Sequence, residues 1–486
     1  MSVTRSRRRQ AAYCERLSAM DASFLEVETD TSPMHVAVVL TFDAANLFSD
    51  GGALNIERLR RYIDHSIQSC ERYRQRIEYV PALGHPVWVD DDRFEIDFHV
   101  RHASLPAPGS ERELKSLVER LLSQKLDRSR PLWEMYFVDG LANNRMALLI
   151  KAHHCLVDGV GGMQLLAALL RASPETQVPD GPAAWEPRPR PSGRNMLRQE
   201  ILHRASGAES LFRSLSFAQL KRGVSGLRNV TKAALSGTSK DSIFTVADRS
   251  PQRRFECARF DLADVKAVKA SLGGTVNDVV VAVTSGAARR HLVREGVDID
   301  DVEGLQAVLP VHTGGASRDK AGNHVAMLLT DLPVDKKTPA GRLKQVTKNT
   351  SELKDESHQS DAAKLIEEIA DVSSPKILSG AFKLATHVNA FDMIITNIRG
   401  PAFPMYLLGA RLESVFPVVP LLPNQTLGIA LFSYDGSIYW GFNADWDAFP
   451  DLDLFVDDLE AAFVDLKDVA KTGDVPAARQ HAQPTA

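Results

Sequence analysis

Residues 151–162 read KAHHCLVDGVGG: two adjacent histidines, a cysteine, an aspartate and three glycines at the end of an apolar run. The run ahead of it, MALLIKA (146–152), has the continuous apolar character of a buried strand, and Gly159 opens a helical pattern that extends to Ser173. The chain therefore turns sharply between a strand and a helix where the reactive side chains cluster. Four uses of the pair compete. A metal site would need His154 and Asp158 on one helical face, but the helix begins only around Gly159, and no third ligand stands at a convincing spacing. A nucleophilic Cys155 would need His154 on its own side as a base. Neighbours on a strand face opposite ways, which puts Cys155 with His153 instead. Two readings remain open. The pair either satisfies backbone groups at a strand end, or delivers a base, with Asp158 pinning the loop and Gly159 leaving room for a ligand.

Outward from this stretch, strands and helices alternate. Upstream, SPMHVAVVLTF (32–42) reads as a buried strand, residues 54–73 show helical periodicity, and Ser110 with Glu113 forms a capping box ahead of a helix. LWEMYFVDGL and RMALLIKAHHC predict two strands joined by a turn at Asn143–Asn144. Downstream, the Pro-rich DGPAAWEPRPRPSGR begins a segment in which eleven Lys/Arg stand against three Glu between residues 186 and 240. Leu202, Leu211, Phe212, Leu215, Phe217 and Leu220 are interleaved there. This connector is either a solvated crossover or a surface for an anionic membrane. RRFECARFDL (253–262) then starts a second set of elements. Thr275 and Asp278 cap a helix over 276–293, residues 340–387 are helix-rich, and strands are expected at HVAMLLTDLPV, DMIITNI and TLGIALFSYDGSIYWGFNAD. The expected organisation is a first domain over 1–180, a connector over 181–250, a second domain over 251–470 and a disordered tail over 471–486.

The chain has 486 residues, long enough for two or three domains, and a net charge of -4, which argues against a general nucleic-acid binder. Its four cysteines, at 14, 70, 155 and 257, form no short pair, so neither a metal knuckle nor a disulfide framework is expected, and a reducing cytoplasm suits them. No apolar run approaches the ~20 residues of a spanning helix, and the basic start MSVTRSRRRQ lacks the apolar core of a signal peptide.

The histidine stretch resembles the HHxxxDG motif of the acyl-CoA-dependent acyltransferases of the chloramphenicol-acetyltransferase-like superfamily. RPLWEMYFVDGL (130–141), with Pro131, Leu132 and Trp133, resembles the PLW block of the bacterial wax ester synthase/diacylglycerol acyltransferase family. LSAMDASFLEVETDTSPMHV (17–36), VNDVVVAV (276–283) and TNIRGPAFPMYLLGARL (396–412) are similar to three further blocks of that family, in order, and the likeness runs from about residue 17 to 465.

The resemblance implies an α/β fold with mixed sheets and flanking helices, built as two chloramphenicol-acetyltransferase-like domains with a tunnel between them that crosses at His154. It implies transfer of a long-chain acyl group from acyl-CoA to the hydroxyl of diacylglycerol, and also of a long-chain alcohol. Acyl-CoA is then a substrate, and no metal or resident cofactor is implied. His154 would be the general base, a role that suits a group titrating near neutrality. His153 would support the strand end, and Asp158 would orient the loop through an ion pair. Asn277 would stabilise the oxyanion or orient the base, or else simply start its helix. Trp133 would shape the acyl or CoA channel, or else fill the core. Gly159 would keep the helix start close to the tunnel, and Pro131, Leu132, Asn397 and Gly400 come with their blocks as substrate-binding positions.

The sequence departs from the family pattern in three places. Cys155 stands where Ala is usual, the Arg expected soon after the Pro310–Val311 pair is missing (Gly314 is near that place), and Ile398–Arg399 replaces a Val-Pro pair. Water-insoluble substrates would require peripheral attachment to a membrane or lipid droplet. Two other classes stay in view: a catalytically silent lipid-binding relative, suggested by the missing Arg, and a condensation-type enzyme using carrier-bound donors, against which counts the lack of a carrier segment.

Overall fold

The computed structural model describes residues 11–48, 53–157, 159–181, 183–214, 242–246, 249–302, 304–312, 325–357, 380 and 391–472. The first half of the chain carries strands β1 (Glu15–Arg16), β2 (His35–Asp43), β3 (Gln75–Tyr79), β4 (Pro86–Asp90), β5 (Val100–Ser104), β6 (Trp133–Asp139) and β7 (Arg145–His153). The second half carries β8 (Arg253–Asp261), β9 (Gln306–His312), β10 (Val325–Asp331), β11 (Met393–Arg399), β12 (Tyr406–Leu407), β13 (Ala410–Val418), β14 (Leu427–Tyr434) and β15 (Ser437–Asp445). They form two mixed six-stranded sheets, in the orders β12-β13-β2-β7-β6-β5 and β10-β9-β11-β14-β15-β8, and a small sheet β1-β4-β3. The expected α/β architecture of two sheet-and-helix units is what the molecule has.

Local chemistry explains the elements. Both capping boxes close as expected: Ser110 with Glu113 starts the helix Glu111–Ser123, and Thr275 with Asp278 starts Val276–Arg294. The turn ahead of β7 passes through Asn143 and Asn144, both with positive φ, a conformation that Asn tolerates better than most residues. Leu114, Val118, Leu121 and Leu122 of the first capped helix pack on Val39, Tyr136, Val138 and Leu149 of the first sheet. In the second unit, Val276–Arg294 lies so close to the helix Leu452–Thr472 that a Cβ on Gly286 would come within 2.8 Å of Ala462.

The domain expectation changes in one respect. Residues 406–418 lie in the second half of the sequence but belong to the first sheet, where β13 pairs antiparallel with β2. Thr41 and Ser414 share a side-chain hydrogen bond of 2.6 Å across that pair. ARLESVFPV alternates as an edge strand does, but alternation says nothing about which sheet the strand joins. The two units therefore interlock through β13. At the crossing, the backbone of β13 touches β15, and a Cβ on Gly441 would sit 1.8 Å from the carbonyl oxygen of Pro417.

The connector begins as a packed segment. Arg188 pairs with Asp90 at 2.8 Å, and Glu200 of the helix Gly193–Ser214 meets Arg16 at 3.0 Å. Residues 215–241, Gly314, most of the stretch 340–387 beyond Ser357, and the tail from 473 lie outside the described residues.

Candidate active site

The histidine stretch is built as expected except at its borders. β7 ends at His153, so His154 is the first residue of the turn that follows, and the next helix is Gly159–Leu169, shorter than the pattern to Ser173. Leu156 N–H closes that turn on His153 O at 2.9 Å. Asp158 lies outside the described residues.

His153 and His154 have different surroundings. His153 is fully buried opposite His35 of β2. Its Nδ1 accepts from the Cys155 N–H at 3.1 Å, so the proton of the neutral ring is on Nε2, which faces Glu28 Oε1 at 3.6 Å. Burial pushes the His153 imidazole down to about 3, which outweighs the nearby carboxylate and keeps the ring neutral. His154 is only partly buried and turns into a cavity. Its N–H donates to Met34 O at 2.8 Å, and its ring stacks on Phe24 with centroids 4.0 Å apart and planes 20° from parallel.

The cavity, of about 250 Å³, lies where the two large sheets meet. One wall comes from Val36 and Val38 of β2 with Ile150 and Ala152 of β7, and the facing wall from Ile394, Thr396 and Asn397 of β11 with Ala430 and Phe432 of β14. Pro417 and Val418 of β13, Met163 and Leu166 of the glycine-started helix, and Met20 and Phe24 complete the lining. Among the described residues, His154, Thr396 and Asn397 are its only polar side chains. This is an apolar slot with a few convergent polar groups, the form of a site for an acyl chain.

The other expected site residues divide into three groups. Asn277 and Asn397 come together from the two blocks that contain them: Asn397 Nδ2 donates to Asn277 Oδ1 at 2.7 Å. Gly400 does not line the cavity but backs it, because a Cβ there would fall 2.2 Å from the ring of Phe432. Gly159 begins the helix whose next turns line the slot. Pro131, Leu132 and Trp133, by contrast, do not reach it. Leu132 O accepts the His153 N–H at 2.9 Å, and Leu132 packs on buried Cys155. Trp133 donates its indole N–H to Tyr73 O at 2.7 Å and stacks on His99 at 4.5 Å, inside the core of the first unit. Trp133 is one strand over from β7, paired with Ala152, so its ring is spent on packing. The block braces the histidine strand. Cys155 is buried too, and burial raises its thiol well above the usual range, the opposite of an activated nucleophile.

Sequence reasoning passed over Glu28 and Arg128. Glu28 is almost wholly buried, with Oε1 3.3 Å from His35 Nε2 and accepting from Met34 N–H at 3.2 Å. Its Oε2 accepts from Arg128 Nη2 at 2.6 Å. Burial alone would raise this carboxyl, but the hydrogen bond with His35 and the Arg128 guanidinium hold it well below the usual carboxylate range. Its place at the end of the run FLEVE, just after the helix that carries Phe24, was the available signal.

Comparison with known proteins agrees with this geometry. Residues 17–280 match the wax ester synthase/diacylglycerol acyltransferase catalytic domain, and residues 321–467 match the C-terminal domain of the same family. A putative diacylglycerol O-acyltransferase of Mycobacterium tuberculosis is 31% identical over 457 residues, 91% of this chain and 88% of its own. The solved wax ester synthase/diacylglycerol acyltransferase from Marinobacter aquaeolei VT8 superposes with a TM-score of 0.67 at 26% identity, over 94% of this chain and 100% of that one. The first condensation domain of the calcium-dependent antibiotic synthetase shares the fold, at a TM-score of 0.57 and 15% identity over 94% and 96% of the two chains. Two ordered domain matches over an interlocked pair of sheets, with the histidine stretch at their junction, leave one conclusion: the chain belongs to the wax ester synthase/diacylglycerol acyltransferase family.

Proposed function

We infer that the protein is an acyl-CoA-dependent O-acyltransferase that moves a long-chain acyl group to the hydroxyl of diacylglycerol, with a long-chain alcohol as a further acceptor. The observation that carries this reading is the part-exposed imidazole of His154 at the wall of a mainly apolar slot between the sheets. His154 takes the proton of the acceptor hydroxyl as its oxygen attacks the thioester carbon. The tetrahedral oxyanion collapses, the carbon–sulfur bond breaks, and the imidazolium returns its proton to the CoA thiolate. An ester and free CoA result. Asn277 has amide N–H groups left to donate after accepting from Asn397, and it serves the oxyanion. The glycine-started helix Gly159–Leu169 keeps the turn beside the slot.

Free CoA released from a long-chain acyl-CoA is the assay. Release should depend on added diacylglycerol or long-chain alcohol; acyl-CoA turnover that is indifferent to any acceptor would defeat the reading. Direct transfer also predicts that Cys155→Ala stays within about threefold of wild type, far from the loss caused by removing a positioned base. Incubation with acyl-CoA alone should leave no thioester detectable by mass spectrometry.

The insoluble acceptor puts the site of action at a membrane or lipid-droplet surface. Among the described residues no helix is long and apolar enough to cross a membrane. Ile201 and Leu202, 53% and 57% exposed on the helix Gly193–Ser214, lie within the basic connector. Each basic side chain near an anionic surface contributes on the order of 1 kcal/mol, weakened by salt. Binding to anionic liposomes should therefore fall as salt rises, and fall further when Arg213, Lys221, Arg222 and Arg228 are replaced together by Gln. Equal, salt-independent co-sedimentation of both proteins would remove the connector from this role.

A further inference from the structure

The ring of Phe24 is the nearest aromatic surface to the base and has no assigned part in the chemistry. It is buried, it lies face to face with His154 at 4.0 Å, and the helix that carries it, Ala19–Val27, is pinned at both ends. At the start, Ser18 Oγ accepts the Asp21 N–H at 3.0 Å. At the end, Arg128 Nη2 donates to Leu25 O at 2.9 Å and to Glu28 at 2.6 Å. Glu28 also holds Met34 N–H, and Met34 O holds the backbone of His154. One anchored carboxylate thus fixes both rings of the stack.

We propose that Phe24 is a positioning residue for the base: its ring sets the plane of the His154 imidazole and stabilises the imidazolium that forms when the acceptor proton is taken. The face of an aromatic ring is electron-rich and attracts a cation placed over it, most strongly where water is excluded. The stack contributes little while His154 is neutral and more once it is charged, which favours the transition state over the ground state. Among the described residues, the charged groups packed behind His154 are Glu28 and Arg128, with His153 and His35 both held neutral by burial, and Asp21 in the first turn of the Phe24 helix is bound to Ser18. None of them changes when Phe24 is replaced.

The inference rests on His154 being the base, so His154→Ala is measured alongside. Phe24→Leu keeps an apolar side chain and removes the π face. It should lower kcat for a soluble short-chain alcohol by about two- to tenfold and move the acidic limb of kcat/KM to lower pH by about half to one unit. Phe24→Trp should preserve both. Di- and trifluorophenylalanine at position 24 keep the shape of the ring and withdraw its electrons, so the limb should move down stepwise with fluorination whether or not Phe24→Leu folds. An unmoved limb across the fluorinated series overturns the proposal, as does a change in KM alone, which would leave Phe24 as cavity wall. Activity persisting in His154→Ala would instead overturn the base assignment.

Discussion

His154→Ala is expected to lower acyl transfer by roughly 10²–10⁴-fold, the usual cost of losing a positioned general base, equivalent to about 3–5 kcal/mol of barrier. The fold should persist, because the substitution leaves the His154 N–H bonded to Met34 O and alters only a side chain that borders the cavity. The stack with Phe24 is lost, worth about 0.5–1.5 kcal/mol, so the melting temperature should drop by no more than a few degrees. His153→Ala should do the reverse, unsettling the buried cluster around Glu28 more than it changes chemistry. Free CoA release and a thermal melt on His154→Ala suffice as the check. Retention of more than about a tenth of wild-type activity lies outside the range for a base and would reassign the role.

Gly441→Ala should be strongly destabilising for a single added methyl. Its Cβ would lie 1.8 Å from Pro417 O and 2.9 Å from Pro417 C, both backbone atoms of a strand already paired with β2. Neither strand can shift without breaking its ladder, so the cost should reach or exceed the upper end of the overpacking range, about 3 kcal/mol. Gly162→Ala is the natural contrast: its Cβ would meet only a side-chain methyl of Val157 at 3.3 Å, inside a helix that gains from Ala. A denaturant melt of the two variants should separate them clearly, and a Gly441→Ala protein as stable as wild type would show that the crossing of the sheets is looser than this geometry.

Local signals in the sequence were reliable wherever the physics is local. Capping boxes at Ser110 and Thr275, the Asn143–Asn144 turn and the apolar run into His153 all depend on neighbours within four residues, and each forms as expected. The family likeness led to His154 and to Asn277 with Asn397, which the fold brings within a hydrogen bond. Reading failed where the deciding partner is remote. Trp133 could be recognised as important, but only its register against Ala152 and its bond to Tyr73 show that it fills a core. Glu28 looks like an ordinary helix-end acid until Arg128, a hundred residues on, is seen to bind it. β13 has the pattern of a strand in its own half of the chain, and nothing in that pattern names β2 as its partner.

The interlocked strand also governs how the chain is made. β2 is synthesised within the first tenth of the sequence, yet its neighbour β13 emerges with Ser414, 373 residues after Thr41. At translation rates of about 5–20 residues per second, that gap lasts roughly 20–75 s. During it, β2 presents an unpaired edge with Val38, Val39 and Leu40, the kind of edge that invites pairing with a second chain. The nascent first sheet therefore needs protection by a chaperone, or must wait half-formed, until the far end of its own chain arrives. Expression of the first 280 residues alone leaves that edge open permanently, so activity and solubility should be sought in the full chain.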